Sequence, residues 1–335
     1  MRQIGEEDLA RAATILVKTA LRVAPSERFV AVGDAESQPM LAALEAAARE
    51  LGAEAASLRI DLLRSYSTNH SGERPHKVLP DAVRRAMLSA QASAFVASAP
   101  HAESSMREQL LHVVGACRIR HAHMPAISPL AFATGLVTDH GAIADTAKNY
   151  ERRLEVAREI AVESPEGTKL VIRTGKGHRW IARTGIVNPG EHANFPTGSI
   201  VATPEEVDGA FVVSASLGEF FGVREGLLRD RVTLKIEGAR VTGVECEKNP
   251  QLVKDIQTML KVAPNSDRIG LVVIGINQGI FEAVGDVSVD QHRPGLHLVI
   301  GDPMSKLTAP GWTARTSFVA TQVRSTVLVD GEILR

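Results

Sequence analysis

The sequence predicts an α/β protein, with a parallel-sheet α/β domain at its N-terminus and a mainly β domain after it. Strand-like apolar runs alternate with helical patterns in the first half, which is the order expected of a parallel sheet with helical crossovers. From Thr168 onward the runs are short and are separated by Gly, Asn, Pro and Asp turns, which is typical of a mainly β domain. A length of 335 residues is large for a single core. We therefore expect two domains, over residues 1–165 and 166–335.

The first half contains an N-terminal helix followed by strands and helices in alternation. Charged residues interrupt the apolar pattern between Met1 and Val23, which favours an amphipathic helix over a signal peptide. Gly52 stands in the C-cap position of the first crossover helix. Strands are predicted over 28–33, 55–62, 94–97 and 117–121, and helices over 37–51, 81–90, 106–114 and 145–160.

The second half is predicted to be built from short strands with one helix among them. Asp330 and Gly331 form a turn signal near the end of the chain, which predicts a terminal hairpin over 327–332. The other strands are predicted over 169–173, 179–186, 209–214, 231–236 and 241–246, with a helix over 250–262.

Composition excludes several classes of protein. The net charge is -1, so no bulk field favours nucleic acid or an anionic membrane surface. The two cysteines, Cys117 and Cys246, are far apart and lack metal-type spacing, which fits a reducing cytoplasm rather than a disulfide scaffold. No apolar run reaches the length of a membrane span. We expect a soluble cytoplasmic protein that binds neither nucleic acid nor membrane.

Four motifs follow one another in the second half. The stretch from Asn194 to Pro204 reads as a turn and a short strand, in which Pro196 and Gly198 restrict the backbone. The other three are Asn188-Pro189-Gly190-Glu191, the segment from Arg268 to Asn277, and Gly295-Leu296-His297-Leu298-Val299-Ile300-Gly301-Asp302. In this order they resemble the motifs of the M29 (aminopeptidase T-like) metallopeptidase family, to which 2,5-dihydroxypyridine dioxygenases are similar. The resemblance covers roughly residues 166–335 and implies the fold of that superfamily.

The resemblance also shows what this chain lacks. The family's first glutamate ligand corresponds to Ser199, and its second to Leu271, or to Val272 if the alignment slips by one. The histidine ligand is kept as His297, whereas the final His-x-Asp pair corresponds to Ser317 and Val319. A hydroxyl or an alkyl side chain cannot replace a carboxylate at a divalent cation. The resemblance therefore implies a degenerate member with no metal and no other cofactor.

The resemblance to a degenerate metallopeptidase predicts that this chain binds a peptide without hydrolysing it. Such proteins resemble the peptide auxiliary proteins of ribosomal-peptide natural-product pathways of the crocagin type. The expected partners are a precursor peptide, a modifying enzyme and a second copy of the chain in a homodimer. The predicted peptide-binding cleft contains Asn194, Thr197, Ser199, Asn277 and His297, and no catalytic residue is assigned.

Two other functions remain open at the level of the sequence. One is an active metallo-aminopeptidase or Fe(II) ring-cleaving dioxygenase whose ligands lie at other positions. The other is metal-independent cyclisation of the bound peptide by positioning and proton transfer.

Several other polar residues can be interpreted either as structural or as functional. His121 and His123 share one face of a strand and could bind metal with His101 or His112, although a solvated strand end is favoured. Asp290 and His292 could form an acid/base pair, although a polar loop is favoured.

Overall fold

Helices and parallel strands alternate in the first part of the chain, and antiparallel strands follow. The computed structural model describes residues 4–63, 78–97, 104–175 and 179–335. The helices are α1 Glu6–Ile15, α2 Gln38–Glu50, α3 Asp81–Leu88, α4 Ser104–Ala116, α5 Pro129–Gly135, α6 His140–Leu154, α7 Glu219–Glu225, α8 Pro250–Met259, α9 Val287–Asp290 and α10 Ser305–Thr308. One π-helical turn, Leu16–Ala20, directly follows α1.

The strands carry the sheet architecture. They are β1 Arg28–Gly33, β2 Glu54–Arg59, β3 Ala92–Ala97, β4 Arg120–Pro125, β5 Glu159–Glu163, β6 Lys169–Arg173, β7 Ile181–Arg183, β8 His192–Asn194, β9 Ser199–Ala202, β10 Glu206–Val213, β11 Val232–Glu237, β12 Arg240–Glu245, β13 Ile269–Gly275, β14 Gly295–Gly301, β15 Ser317–Ala320, β16 Thr326–Val329 and β17 Glu332–Ile333.

The chain divides into two compact units. Unit 1 comprises residues 1–141 and 185–197, and unit 2 comprises residues 142–184 and 198–335. The chain therefore passes between the units after residues 141, 184 and 197, whereas the sequence predicted one boundary near residue 165.

Unit 1 is built on a five-stranded parallel sheet with the strand order β2-β1-β3-β4-β8. The strand β1 has the predicted bounds, because Phe29 to Val32 form an uninterrupted buried run of apolar residues. On one face, Val30 and Phe95 pack against Leu110 of α4 in a continuous apolar cluster. The predicted parallel α/β domain is confirmed.

Unit 2 contains two antiparallel sheets. Their strand orders are β12-β11-β10-β6-β5-β16-β17 and β15-β14-β13-β9-β7. Apolar residues of both sheets form one core, which includes Phe211 of β10 and Leu298 of β14. The predicted hairpin turn is confirmed, since Val329 pairs with Glu332 across Asp330 and Gly331.

The helix predicted over 145–160 is wrong at its C-terminal end. The helix α6 ends at Leu154, and β5 begins at Glu159. Ile160 and Val162 alternate with less buried residues, and both are buried between neighbouring strands β6 and β16. A strand with partners on both sides prevails over the local helical pattern of Glu and Arg. Across the described ranges, the helices are too short or too polar to cross a lipid bilayer.

Candidate functional site

The positions that the motifs single out lie on one face of the five-stranded sheet in unit 2. Directly opposed residues of antiparallel strands point to the same side of a sheet. The pairs that connect these positions are Ser199 with Gly275, Val201 with Val273, Val273 with His297, Leu271 with Val299, Val299 with Val319, and Gly301 with Ser317. We call the side that carries Ser199, Leu271, His297, Ser317 and Val319 the motif face.

The register decides between the two candidates for the second ligand position. Leu271 lies on the motif face, whereas Val272 packs into the main core on the other side. Leu271 is 2% exposed and packs with Val201, Val273 and Val299, and Val319 lies against the same cluster. The centre of the motif face is therefore a closed apolar cluster.

His297 is fully buried, and both of its ring nitrogens are used inside the protein. Nε2 lies 3.0 Å from the carbonyl oxygen of Arg293, and Nδ1 lies 3.3 Å from the backbone nitrogen of Gln322. The backbone N–H of Gln322 can only donate, so Nδ1 accepts and Nε2–H donates to Arg293. Burial lowers the pKa of His297 to about 4. His297 is thus a neutral residue that ties two loops to β14.

One end of the motif face is polar. Arg183 and Ser199 are paired neighbours on β7 and β9. Beside them the backbone at His292 and Arg293 crosses Gly275 so closely that a Cβ at position 275 would lie 1.8 Å from the Arg293 oxygen. The hydroxyl of Ser199 and Nδ1 of His292 are both buried, and neither has a hydrogen-bond partner among the described residues.

The charges at this end are also unusual. Burial lowers the pKa of His292 to about 3, and the positive charge of Arg183 contributes to the shift. Arg183 is half-buried, its guanidinium contacts Sδ of Met304, and burial lowers its pKa. This end of the face offers a cation, a hydroxyl and a neutral imidazole, which together suit a polar ligand with hydrogen-bond acceptors and donors.

Asp290 and His292 do not act as an acid/base pair in this structure. The Asp290 carboxylate accepts hydrogen bonds from the backbone nitrogens of Val284, at 2.8 Å, and Gly285, at 3.0 Å. Burial raises the pKa of Asp290 above its usual range. The favoured interpretation as a polar loop is wrong for Asp290, which is the last residue of α9, and both Asp290 and His292 are buried, at 0% and 4% exposure. The Asp290 carboxylate therefore stabilises the loop that follows β13 through these backbone hydrogen bonds.

The five residues predicted to line a peptide cleft belong to both units. Asn194 is exposed and Thr197 is buried in unit 1, whereas Ser199, Asn277 and His297 are buried in unit 2. The Phe195–Pro196 peptide bond between the two unit 1 residues is cis.

Within unit 2, the structure brings Asn277 close to the polar end of the motif face. Its backbone nitrogen donates to the carbonyl oxygen of His292 at 2.9 Å, and its side chain accepts from Gly279 at 3.0 Å. Gly198 has φ +112°, and a Cβ there would lie 2.7 Å from Cβ of Asn277. Whether these residues contact a ligand stays a prediction. Sequence reasoning missed Arg183, which no motif marks.

The donor set does not fit a divalent metal. Of the family's ligand positions on the motif face, Leu271 and Val319 have no donor atom, and the nitrogens of His297 are both hydrogen-bonded. Within the described ranges, no three His, Cys, Asp or Glu side chains are grouped so that they could hold a metal ion. Divalent sites require several such ligands with suitable charge and geometry.

A family model places the chain by sequence. The model of 2,5-dihydroxypyridine 5,6-dioxygenase (NicX) matches residues 16–262, which is more than half of the chain. The chain belongs to this family. The match includes Ser199 and ends before β13, β14 and β15, which carry the other positions of the motif face. No curated protein matches the sequence.

Two solved structures share the fold. The 2,5-dihydroxypyridine dioxygenase from Pseudomonas putida is 17% identical, with a TM-score of 0.68 over 99% of this chain and 96% of that chain. AmpT from Thermus thermophilus is 15% identical, with a TM-score of 0.63 over 98% of this chain and 99% of that chain. The predicted M29-like fold is confirmed for this member.

Proposed function

We propose that this chain is a metal-independent binding protein of the family, which holds a peptide and does not hydrolyse it. The observation that carries the proposal is the motif face, where an apolar cluster stands at the ligand positions. Leu271 and Val319 provide packing in place of carboxylate or imidazole donors, and His297 is engaged on both sides. Iron and zinc chemistry requires a donor set that this face does not contain.

The polar end of the motif face supports a ligand rich in amides. A buried polar atom without a partner costs about 1–3 kcal/mol, so a ligand that supplies the partner is favoured by a similar amount. The Ser199 hydroxyl can donate or accept, and the neutral His292 ring has an open Nδ1. A peptide backbone presents both N–H and C=O groups at short spacing, and Arg183 adds a cation for a carbonyl or carboxylate oxygen.

The biological role follows from the resemblance to peptide auxiliary proteins. In this proposal a homodimer in the cytoplasm presents a ribosomally made precursor peptide to a modifying enzyme. In a second form of this proposal, the same site also promotes metal-independent cyclisation of the bound peptide. Mass spectrometry of a candidate precursor, incubated with and without the protein, separates presentation, which leaves the mass unchanged, from chemistry, which alters it.

A second function is favoured by one observation, namely the family match over residues 16–262. In that case the chain would be a ring-cleaving dioxygenase that obtains its ligands from other positions. Anaerobic loading with Fe(II), followed by 2,5-dihydroxypyridine and oxygen, tests this directly. Loss of the substrate's absorbance at a rate dependent on iron would establish the dioxygenase and overturn the binding role.

The test of the leading proposal is calorimetry with a pool of short linear peptides, with and without EDTA. We expect the same heat and affinity in both conditions. His292→Gln and Ser199→Ala should weaken binding several-fold, because each removes a hydrogen-bonding group at the polar end. Ser317→Ala is the matched control, since Ser317 is exposed on β15 of the same sheet. Binding that disappears in EDTA, or that is unchanged in His292→Gln and Ser199→Ala, contradicts the proposal.

A further inference from the structure

One polar cluster outside the motif face lies in unit 1, where it is a row of buried side chains. The expectation of a solvated strand end is wrong for His121 and His123, which are 0% and 5% exposed on β4, a strand with β3 on one side and β8 on the other. The Ser93 hydroxyl lies 2.8 Å from Nδ1 of His121, and Nε2 of His121 lies 3.2 Å from Nδ1 of His123. His101 lies outside the described residues, and His112 is exposed on α4. These contacts hold the two histidines within the sheet.

A cavity in unit 2 lies where the chain enters β11 and leaves β12. Its volume is about 440 Å³, within the range of about 300–1,000 Å³ that is typical of small-molecule sites. One wall comes from residues 229–231 and Thr233, and the other from residues 245–248. Thr233 is paired with Glu245 across the two strands. The two walls are thus fixed to each other by backbone pairing.

Two of the carboxylates that line the cavity have a cationic partner, and the third does not. Glu245 forms an ion pair with Lys235, and the Asp230 carboxylate lies 3.7 Å from Nζ of Lys248. Glu247 is exposed and forms no ion pair with any residue that the structure describes. The cavity therefore keeps one carboxylate that is available to a cationic group.

Two guanidinium groups of the cavity also lack a counter-ion. Arg229 and Arg231 line it, and in the described part of the chain neither forms an ion pair with a carboxylate. Arg224, by contrast, lines a cavity that shares Arg229 with this one, and it donates to the Asp255 carboxylate at 2.7 Å. Arg229 and Arg231 thus remain unpaired although three carboxylates line the same cavity.

The unpaired charges define the ligand that would complete the cavity. A guanidinium group binds a carboxylate through two parallel hydrogen bonds, so Arg229 and Arg231 together suit a ligand with two carboxylates. Glu247 suits an ammonium group, and it would repel a ligand that carries negative charge alone. An acidic amino acid carries two carboxylates and one ammonium group, which matches the two cations and the one anion.

We propose that this cavity binds a free acidic amino acid, glutamate or aspartate. Arg229 and Arg231 each bind one carboxylate of the ligand, and Glu247 accepts hydrogen bonds from its ammonium group. Cys246 lines the same cavity and packs against the core of unit 2, so it offers an apolar contact to the methylene groups of the ligand. The cavity belongs to the seven-stranded sheet and the motif face to the five-stranded one, so amino-acid binding and peptide binding stand or fall separately.

Calorimetry with L-glutamate and L-aspartate tests the proposal, with two analogues that each lack one charge. Glutarate lacks the ammonium group, and L-glutamine lacks the second carboxylate. We expect saturable binding of at least one acidic amino acid and binding several-fold weaker for both analogues. Arg229→Gln and Arg231→Gln should each weaken binding about tenfold, the usual value of a charge-assisted hydrogen bond, and Glu247→Gln should remove the preference over glutarate. All three side chains are exposed, so these substitutions should leave the fold intact.

The matched control is Arg315→Gln, since Arg315 is an exposed arginine of the same unit that does not line the cavity. The two cysteines, both free thiols, add a readout of position, because Cys246 lines the cavity and Cys117 belongs to unit 1. Bound amino acid should slow the alkylation of Cys246 and leave that of Cys117 unchanged. Absence of binding for both amino acids, equal affinity for glutamate and glutarate, equal effects of Arg229→Gln and Arg315→Gln, or unaltered alkylation of Cys246 would overturn the proposal.

Discussion

His297 in unit 2 and His123 in unit 1 are both buried, neutral histidines on central strands, yet they differ in what they can do. Burial lowers the pKa of both, to about 4 for His297 and about 3 for His123. His297 is hydrogen-bonded through both nitrogens to the main chain, whereas His123 is hydrogen-bonded through Nδ1 to a side chain, and its Nε2 has no hydrogen bond to any residue that the structure describes. The partner of the second nitrogen, and not the presence of a family motif, decides whether a histidine is available for binding.

The largest effect is expected from restoring a carboxylate to the motif face. Leu271→Glu buries a charge inside the apolar cluster, and an unpaired buried charge costs about 3–5 kcal/mol. The free energy of unfolding, measured in urea, should fall by this order and should not recover when Zn(II) or Fe(II) is added. Leu271→Met serves as the volume-matched control. A stable Leu271→Glu protein that binds metal would show that the face is still a working site.

The next largest effect is the difference in stability loss when each of the two histidines is replaced by alanine. His297→Ala leaves the Arg293 carbonyl and the Gln322 N–H without their partner, whereas His123→Ala leaves only a side-chain nitrogen of His121. Main-chain groups cannot reorient, so we expect His297→Ala to cost about 1–2 kcal/mol more than His123→Ala in urea unfolding. Equal losses would mean that the two bonds of His297 contribute nothing beyond packing.

The pH dependence follows from the same histidines. An unfolded histidine has a pKa of about 6.5, so below that pH the unfolded chain binds more protons than the folded one. Stability is therefore complete above about pH 6.5 and falls as the pH decreases, by up to about 1.4 kcal/mol per pH unit for each such histidine. The loss should continue toward pH 4 for His297 and toward pH 3 for His123.

Unfolding curves at about pH 7.5 and about pH 5.5 measure this difference. His123→Gln should reduce the change in the free energy of unfolding with pH by the contribution of one histidine. His112→Gln should leave this slope unchanged because His112 is exposed. A slope that is the same in wild type and His123→Gln would show that His123 is already charged in the folded state.

The smallest expected effect is the difference in stability cost between alanine substitutions at two fully buried serines. The Ser93 hydroxyl is hydrogen-bonded to Nδ1 of His121, whereas the hydroxyl of Ser199 has no partner within the described residues. Ser93→Ala should cost about 1 kcal/mol, the usual net value of a hydrogen bond, and Ser199→Ala should be neutral or slightly stabilising. A cost for Ser199→Ala equal to that of Ser93→Ala would indicate that Ser199 already has a bound partner.

The sequence predicted the architecture better than the details of either site. The strand over 28–33 and the turn at Asp330 and Gly331 were predictable because they depend on local burial and turn chemistry. The strand predicted over 117–121 is found at Arg120–Pro125, where pairing with β3 and β8 fixes its position. Such pairing is a long-range property that composition does not encode.

The candidate sites show the same limit. The choice between Leu271 and Val272 could not be made from the sequence, because the register shifts between Ile269 and Leu271. The structure settles it through the partner strand. Arg183 carries no motif, and its place beside Ser199 follows from the pairing of β7 with β9, which only the fold brings about.

The most direct test of the central claim is metal loading of the purified protein. We predict that anaerobic titration with Fe(II) and Zn(II) detects no stoichiometric site by calorimetry or elemental analysis, and that iron-treated protein does not cleave 2,5-dihydroxypyridine. One bound metal per chain that is lost in His297→Ala would contradict the account, because it would require His297 to give up its main-chain partners and serve as a ligand.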